Sequence, residues 1–154
     1  MPVNQTDIRT QGGLNRSQTR ARTWYVDNTS PLNGDGTSWA RPWSRLAHIN
    51  WSRIGPGDAI HISGGKSGQT YNEVLNIGAS GTPGTPITVT GATDSGRHGP
   101  VIINAQGVRS ECIIVSNHNH LVIQSLTIRN TANNANLKVS GVASGVVIQD
   151  VVSH

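Results

Sequence analysis

The feature that most constrains the fold is a repeat near the C-terminus. The run LVIQSLTI, residues 121–128, aligns with VVIQDVV, residues 146–152. Just upstream, residues 113–116 align with residues 137–140 at almost the same interval. A repeat of about 25 residues indicates a solenoid, since a propeller blade needs roughly 40 residues. The interval therefore predicts a β-helix, in which each strand pairs in parallel with its equivalent one coil away.

The composition favours the same mainly β class. The chain has 18 glycines, no phenylalanine and a hydrophobic fraction of only 34%, so a single large core is excluded and the core must be thin or repetitive. From Asp58 onward, the apolar residues are mostly Val, Ile and Leu in short runs between Gly, Asn and Ser turns, a pattern typical of strands. We predict that the segment 58–154 forms the first coils of a right-handed parallel β-helix.

One helix is expected before the first coil. Trp43, Leu46, Asn50 and Ile54 fall near one face of a helix, and the Gly-Pro-Gly segment at 55–57 ends it. The pattern predicts a helix near 43–54 within an N-terminal cap over 24–57. Four tryptophans cluster around the first coil, where we expect them mainly to cover its apolar end rather than to stack on sugars. They are Trp24, Trp39, Trp43 and Trp51.

The charge distribution argues against a nucleic-acid partner. The formal net charge is +4, but residues 1–23 hold four arginines against one aspartate, and the rest of the chain is nearly neutral. We predict that residues 1–23 are a disordered basic leader. The sequence contains neither a Sec signal peptide nor an apolar stretch of roughly 18 residues, so no membrane partner is expected. The single Cys112, within an apolar run, is expected to be a small buried residue.

Several segments between residues 24 and 154 carry a family resemblance. They are YVDNTSPLNGDGTSWARPWSRL, GDAIHISGG with YNEVLNI, GTPGTPITVTGA and LVIQSLTIRN. With these segments the chain resembles the pectate-lyase-like right-handed parallel β-helix proteins, especially the branch with alginate lyases and chondroitinase B. The resemblance implies the N-terminal portion of a lyase acting on uronic-acid polysaccharide, in a secreted or periplasmic protein.

The resemblance places the chemistry on later coils. It implies a Lys/Arg pair for proton transfer and, in many members, a calcium site of Asn and Glu; the calcium-site pattern has no counterpart here, since no Glu occurs after Glu111. We therefore assign no catalytic residue, metal site or cofactor to this chain and expect it to be inactive alone, with calcium possible only in a longer protein. We also expect the stack to be truncated after His154 and its open last coil to permit self-association.

An acidic polysaccharide is the expected partner. Four cations could bind its carboxylates through charge-assisted hydrogen bonds, although a solvated rim around the solenoid is the simpler explanation for them. These candidate substrate-binding residues are Arg129, Lys138, Arg109 and Lys66. The alternative function is a structural or carbohydrate-binding β-helix, such as a phage tail fibre, tailspike or surface adhesin, which would place the protein in a virion or on a cell surface.

Three other patterns fail as functional motifs. SGGKSG at 63–68 ends like a phosphate-binding loop but lacks the first glycine, because residue 60 is Ile60, and a strand-like segment rather than a helix follows. His118 and His120 would share one face of a strand, but no third metal ligand is evident. The acidic residues of the coils do not occupy equivalent repeat positions, so a glycosidase dyad is not expected. They are Asp58, Glu73, Asp94, Glu111 and Asp150.

Overall fold

The computed structural model describes residues 20–132 and 136–154, which are mainly β with almost no helix. Most of the predicted leader, residues 1–19, therefore lies outside the described residues. No helix among the described residues is long and apolar enough to cross a membrane. Within these two ranges, ten strands follow in order: β1 (Thr23–Val26), β2 (Ala59–Ile62), β3 (Gln69–Tyr71), β4 (Leu75–Asn76), β5 (Ile87–Gly91), β6 (Val101–Asn104), β7 (Ile113–Ser116), β8 (Leu121–Arg129), β9 (Leu137–Ser140) and β10 (Val146–Ser153).

The strands stack in parallel on three faces. The first face contains β1, β2, β5 and the first halves of β8 and β10. The second face contains β3, β6 and the second halves of β8 and β10, because these two strands run through the corner between the faces. The third face contains β4, β7 and β9. This arrangement confirms the mainly β prediction and is consistent with a parallel β-helix.

The predicted repeat matches the strand register. Val122 pairs with Val147 and Ile113 pairs with Leu137, as the two aligned runs of the sequence predict. The preceding coil is longer than the repeat of about 25 residues, because Leu121 on β8 pairs in register with Ile87 on β5. Much of the extra length lies in the segment 92–100 between β5 and β6, which we call the wall loop.

The core consists of side chains stacked in columns inside the coils. Ile60, Val89 and Ile123 occupy equivalent places on β2, β5 and β8 and have no exposed surface. On the second face, Tyr71 and Ile103 form a similar buried pair. Inward and outward residues alternate along the strands, as expected for strands with one buried face. The thin, repetitive core inferred from composition is therefore what the structure contains.

The prediction of one helix near 43–54 is wrong. The segment forms two short 3-10 turns, Leu46–His48 and Trp51–Arg53. The carboxylate of Glu73 accepts hydrogen bonds from the backbone N–H groups of Leu46 and Ala47, both at 3.1 Å, and ties this segment to the first coil. The side chain of Asn50 then accepts from the Ser52 N–H and starts the second turn. Between the turns the backbone is not helical, with ψ of 120° at Ile49 and 86° at Asn50, so the segment is two separate turns.

Two of the four tryptophans are buried at the first strand of the stack. Trp24 and Trp43 are buried and stack with ring centroids 5.3 Å apart. The indole N–H of Trp24 donates to the buried carboxylate of Asp58 at 2.9 Å. Trp39 differs, because it packs edge-on against Tyr25, an outward residue of the first face, with centroids 4.7 Å apart.

The glycines that resembled part of a phosphate loop have a packing role. Gly64 and Gly99 lie back to back where two successive coils turn from the first face to the second. A Cβ added to Gly64 would stand 1.6 Å from the Gly99 carbonyl oxygen. The Gly64 N–H donates to the Arg97 carbonyl at 2.9 Å, and the Gly99 N–H donates to the Gly65 carbonyl at 2.8 Å. Two backbones therefore meet where no side chain fits, and they fix the wall loop to the first coil.

We expect Gly64→Ala to lower the free energy of unfolding by about 2 kcal/mol or more, since the backbone contact cannot accommodate a methyl group. The matched control is Gly55→Ala, because nothing lies within 4 Å of a Cβ added there. Urea denaturation followed by circular dichroism measures both variants. Equal stabilities of the two variants would contradict this packing role.

Candidate functional site

The four predicted substrate-binding cations do not form one track. Lys66 is exposed at the corner between β2 and β3, joining the first and second faces. Arg109 lies in the loop between β6 and β7, and Arg129 ends β8, so both belong to the corner between the second and third faces. Lys138 is exposed on β9, within the third face. The structure thus brings together two of the four residues.

Arg109 and Arg129 are linked through their backbones. The Arg129 carbonyl accepts from the Ala105 N–H at 3.0 Å, and the Arg109 carbonyl accepts from the Ala132 N–H at 2.8 Å. The Arg109 guanidinium donates to the side-chain carbonyl of Gln106 at 3.1 Å. Within the described part of the chain, Nε of Arg129 is buried without a hydrogen-bond partner. The backbones of both arginines therefore belong to one corner, where Nε of Arg129 is shielded from solvent.

A row of asparagines lies beside these arginines. Asn104 donates to Asn72 and accepts from Asn130, both at 2.9 Å, so one side-chain amide from each of three coils joins a single chain of hydrogen bonds. Each of these asparagines ends or directly follows a strand of the second face. All three side chains are at least partly exposed to solvent. Adjacent strands lie about 4.8 Å apart, so the amides follow one another at roughly that interval. We call this row, together with Arg109 and Arg129, the amide–arginine corner.

The sequence contained a signal for this row that we did not use. Asn72 directly follows β3, Asn104 ends β6 and Asn130 directly follows β8. An asparagine recurs where the chain leaves the second face, and Asn130 has a positive φ of 60° that asparagine tolerates well. The unequal loop lengths of the first coils hid this row, and so did an offset of one residue, because Asn104 pairs in register with Arg129 and not with Asn130.

The candidate acids are largely structural. Asp58 is buried and accepts from Trp24, from the Arg22 N–H and from the Gly55 N–H. Glu73 is buried and holds the first 3-10 turn, and Asp94 accepts from the indole N–H of Trp39 at 2.6 Å. Three of the five candidate acids are thus committed to the fold, whereas Glu111 is half-buried and Asp150 is exposed.

The histidine pair and the cysteine have local roles. His118 is hydrogen-bonded to the hydroxyl of Ser80 at 3.3 Å, while His120 turns a corner with a φ of 54°. No group of three His, Cys, Asp or Glu side chains suited to a metal occurs among the described residues. Cys112 is buried, as predicted, and burial raises the pKa of its thiol, which contacts the carbonyl oxygens of Ile103 and Arg129 at 3.4 Å.

Comparisons with known proteins support the fold. No protein-family model matches the chain. An endo-polygalacturonase from Sclerotinia sclerotiorum is 34% identical over 102 residues, which cover 64% of this chain and 24% of the relative. The solved GH136 lacto-N-biosidase from Eubacterium ramulus superposes with a TM-score of 0.61 at 17% identity, covering 86% of this chain and 27% of that protein. A rhamnogalacturonan lyase gives a TM-score of 0.52 at 19% identity, covering 71% and 29%.

The chain therefore spans about a quarter of the length of the proteins that it matches. The low identities of the solved structures bear on the fold alone. Together the matches support a pectin-type parallel β-helix fold, as the sequence predicted. The narrower assignment to the alginate lyase and chondroitinase B branch stays a prediction.

We expect Asn104→Ala to lower the free energy of unfolding by about 1–2 kcal/mol, because the amide of Asn104 donates to Asn72 and accepts from Asn130 and from the Gln106 N–H. Asn76→Ala, an exposed change on β4, is the control and should cost less than about 0.5 kcal/mol. Urea denaturation compares the variants. If Asn104→Ala is no more costly than the control, the row contributes nothing to the stacking of the coils.

Proposed function

We propose that this chain binds a uronic-acid polysaccharide of the pectin type, as the N-terminal portion of a right-handed β-helix polysaccharide lyase. The observation that carries the proposal is the amide–arginine corner, where Arg109 and Arg129 lie at the same corner as a row of side-chain amides. Guanidinium groups pair with carboxylates through charge-assisted hydrogen bonds, while amides donate to and accept from hydroxyls. A uronic-acid polymer presents both kinds of group on every sugar.

The geometry of the corner favours an extended polymer over a small ligand. The three asparagines follow the direction in which the coils stack, so side-chain amides recur near the strand spacing of about 4.8 Å. A linear chain lying along this row would meet a similar set of donors and acceptors at each coil. The 34% identity with an endo-polygalacturonase supports a polymer of galacturonate as the first ligand to test.

The proposed reaction is elimination, in which a base removes the proton next to the uronate carboxyl group and cations stabilise the charge that develops there. Within this chain we assign only binding to Arg109 and Arg129. The base, and the calcium that the resemblance implies for lyases, stay predictions for a longer protein. Hydrolysis is the competing reaction, since the matched proteins include both a polygalacturonase and a lyase.

Affinity electrophoresis in gels containing polygalacturonate tests binding. We expect the wild-type chain to be retarded, and the double change Arg109→Gln with Arg129→Gln to weaken binding about tenfold, because two charge-assisted contacts are lost. Arg41→Gln removes an exposed arginine from a loop away from the corner and serves as the control. Equal weakening in the control would show diffuse charge attraction instead of a site.

The same preparations distinguish the reactions. A lyase releases unsaturated uronates that absorb ultraviolet light, whereas a hydrolase releases reducing ends without that absorbance. For this chain alone we expect binding without either product. Turnover by this chain would contradict our assignment of catalysis to other coils.

The structural alternative has its own supporting observation. Among the described residues, β10 pairs with β8 on one side and no strand pairs with its other side. Ile148 continues the inward column of Ile60, Val89 and Ile123 but is 38% exposed. An apolar strand edge of this kind favours pairing with another chain, which is the self-association that the alternative requires.

We expect sedimentation velocity to show a concentration-dependent dimer that Ile148→Lys abolishes, because a charge replaces an inward apolar side chain at the open edge. Gln149→Lys, on the outward side of the same strand, is the control and should leave the dimer intact. A wild-type chain that stays monomeric at all concentrations would rule out this mode of association.

A further inference from the structure

A second surface feature lies at a different corner, the one between the first and second faces. It is a cleft of about 370 Å³, a size at the lower end of the roughly 300–1,000 Å³ typical of small-ligand pockets. The wall loop forms one side with Thr93, His98 and Pro100, while β8 and β10 form the other side. The amide–arginine corner shares none of its residues with the lining of this cleft.

The wall loop is held firmly in place. Arg97 pairs with the buried carboxylate of Asp27 and lies over the Trp39 ring, 4.6 Å from its centroid. The indole N–H of Trp39 donates to Asp94 at 2.6 Å, and the backbone of Gly99 is hydrogen-bonded to the first coil. A wall fixed on both sides keeps its shape before a ligand arrives, which lowers the entropy lost on binding.

The other side of the cleft is the bend that β8 and β10 make between the first and second faces. Ser125 and Asp150 occupy equivalent places on β8 and β10, and both have positive φ, 57° and 50°. Gly91 lies in the same row on β5, where an added Cβ would stand 2.5 Å from the Ser125 carbonyl oxygen. This row therefore combines a bare backbone, a hydroxyl and a carboxylate, and all three residues line the cleft.

The lining chemistry suits an uncharged sugar ring. The carboxylate of Asp150 accepts hydrogen bonds from hydroxyls, while the hydroxyls of Ser125 and Thr127 donate and accept. Pro100 and Val152 offer apolar surface to the C–H groups of a ring. Among the described residues, no Lys or Arg lines the cleft, so a uronate carboxylate would meet a like charge at Asp150 without a permanently charged cation to offset it.

We propose that this cleft binds one or two rings of a neutral sugar, such as a neutral branch or a neutral unit of the polymer held at the amide–arginine corner. The inference rests on the proposed polysaccharide function and adds a second specificity to it. The two corners then select different parts of the ligand, because one offers guanidinium groups and the other a carboxylate.

The test compares galactobiose with digalacturonate, which are both α-1,4-linked disaccharides. Digalacturonate carries a carboxylate on each ring where galactobiose carries a CH₂OH group. Backbone amide shifts in NMR titrations report both the site and the affinity. We expect galactobiose to shift the amides of Thr93, Ser125 and Asp150, and digalacturonate to shift those of Arg109 and Arg129. Asp150→Ala should weaken galactobiose binding about tenfold, the loss expected for hydrogen bonds to a charged group.

A pair of bulky substitutions on the wall loop provides the control for position. Thr93→Trp fills the cleft and should abolish galactobiose binding, whereas Ser95→Trp changes a residue of the same loop that does not line the cleft. The proposal is overturned if galactobiose causes no shifts at the cleft, if digalacturonate binds there more tightly, or if Thr93→Trp has no effect. Loss of digalacturonate binding at the arginines with galactobiose retained would instead overturn the proposed function alone.

Discussion

The structure depends on parallel pairing between each strand and its equivalent one coil away. Such pairing satisfies the backbone groups along the strands and at the same time places like side chains above one another, so that Ile60, Val89 and Ile123 form one closed column. A chain with a hydrophobic fraction of 34% could not enclose a broad core. Stacking lets a few β-branched residues in each coil bury completely, because the coils on both sides cover them.

The same constraint explains where the polar groups collect. Each coil must turn at the same corners, and residues that accept a positive φ recur there, including Ser125, Asn130 and Asp150. Stacking therefore also brings corner side chains into rows. One corner acquires the row of amides beside Arg109 and Arg129, and another acquires a hydroxyl and a carboxylate facing the wall loop. Two surfaces of opposite character follow from one architecture, and the proposed recognition of an acidic polymer with neutral sugars uses both.

The sequence predicted what repeats and failed where a contact is specific to one place. Val122 and Val147 lie in matching runs, so the register of the last coils could be read directly. The helix near 43–54 was wrong because the backbone leaves the helical region at Ile49 and Asn50, with ψ of 120° and 86°, where the side chain of Asn50 starts a separate turn. The four cations were grouped by charge alone, but the corner on which each lies depends on loop lengths that no periodicity reveals. The ion pair between Asp27 and Arg97 was not predicted either, because it forms only when the wall loop folds back onto the first coil.

The measurement that tests this account most directly is a nuclear Overhauser experiment on uniformly labelled chain. Parallel stacking predicts contacts between backbone amide and α protons of partnered residues in β8 and β10, such as Ile123 with Ile148, and of partnered residues in β7 and β9. The contacts should advance together along both strands. Contacts that run in opposite directions along the two strands, or that connect only neighbours in sequence, would contradict the stacked parallel fold and both binding surfaces derived from it.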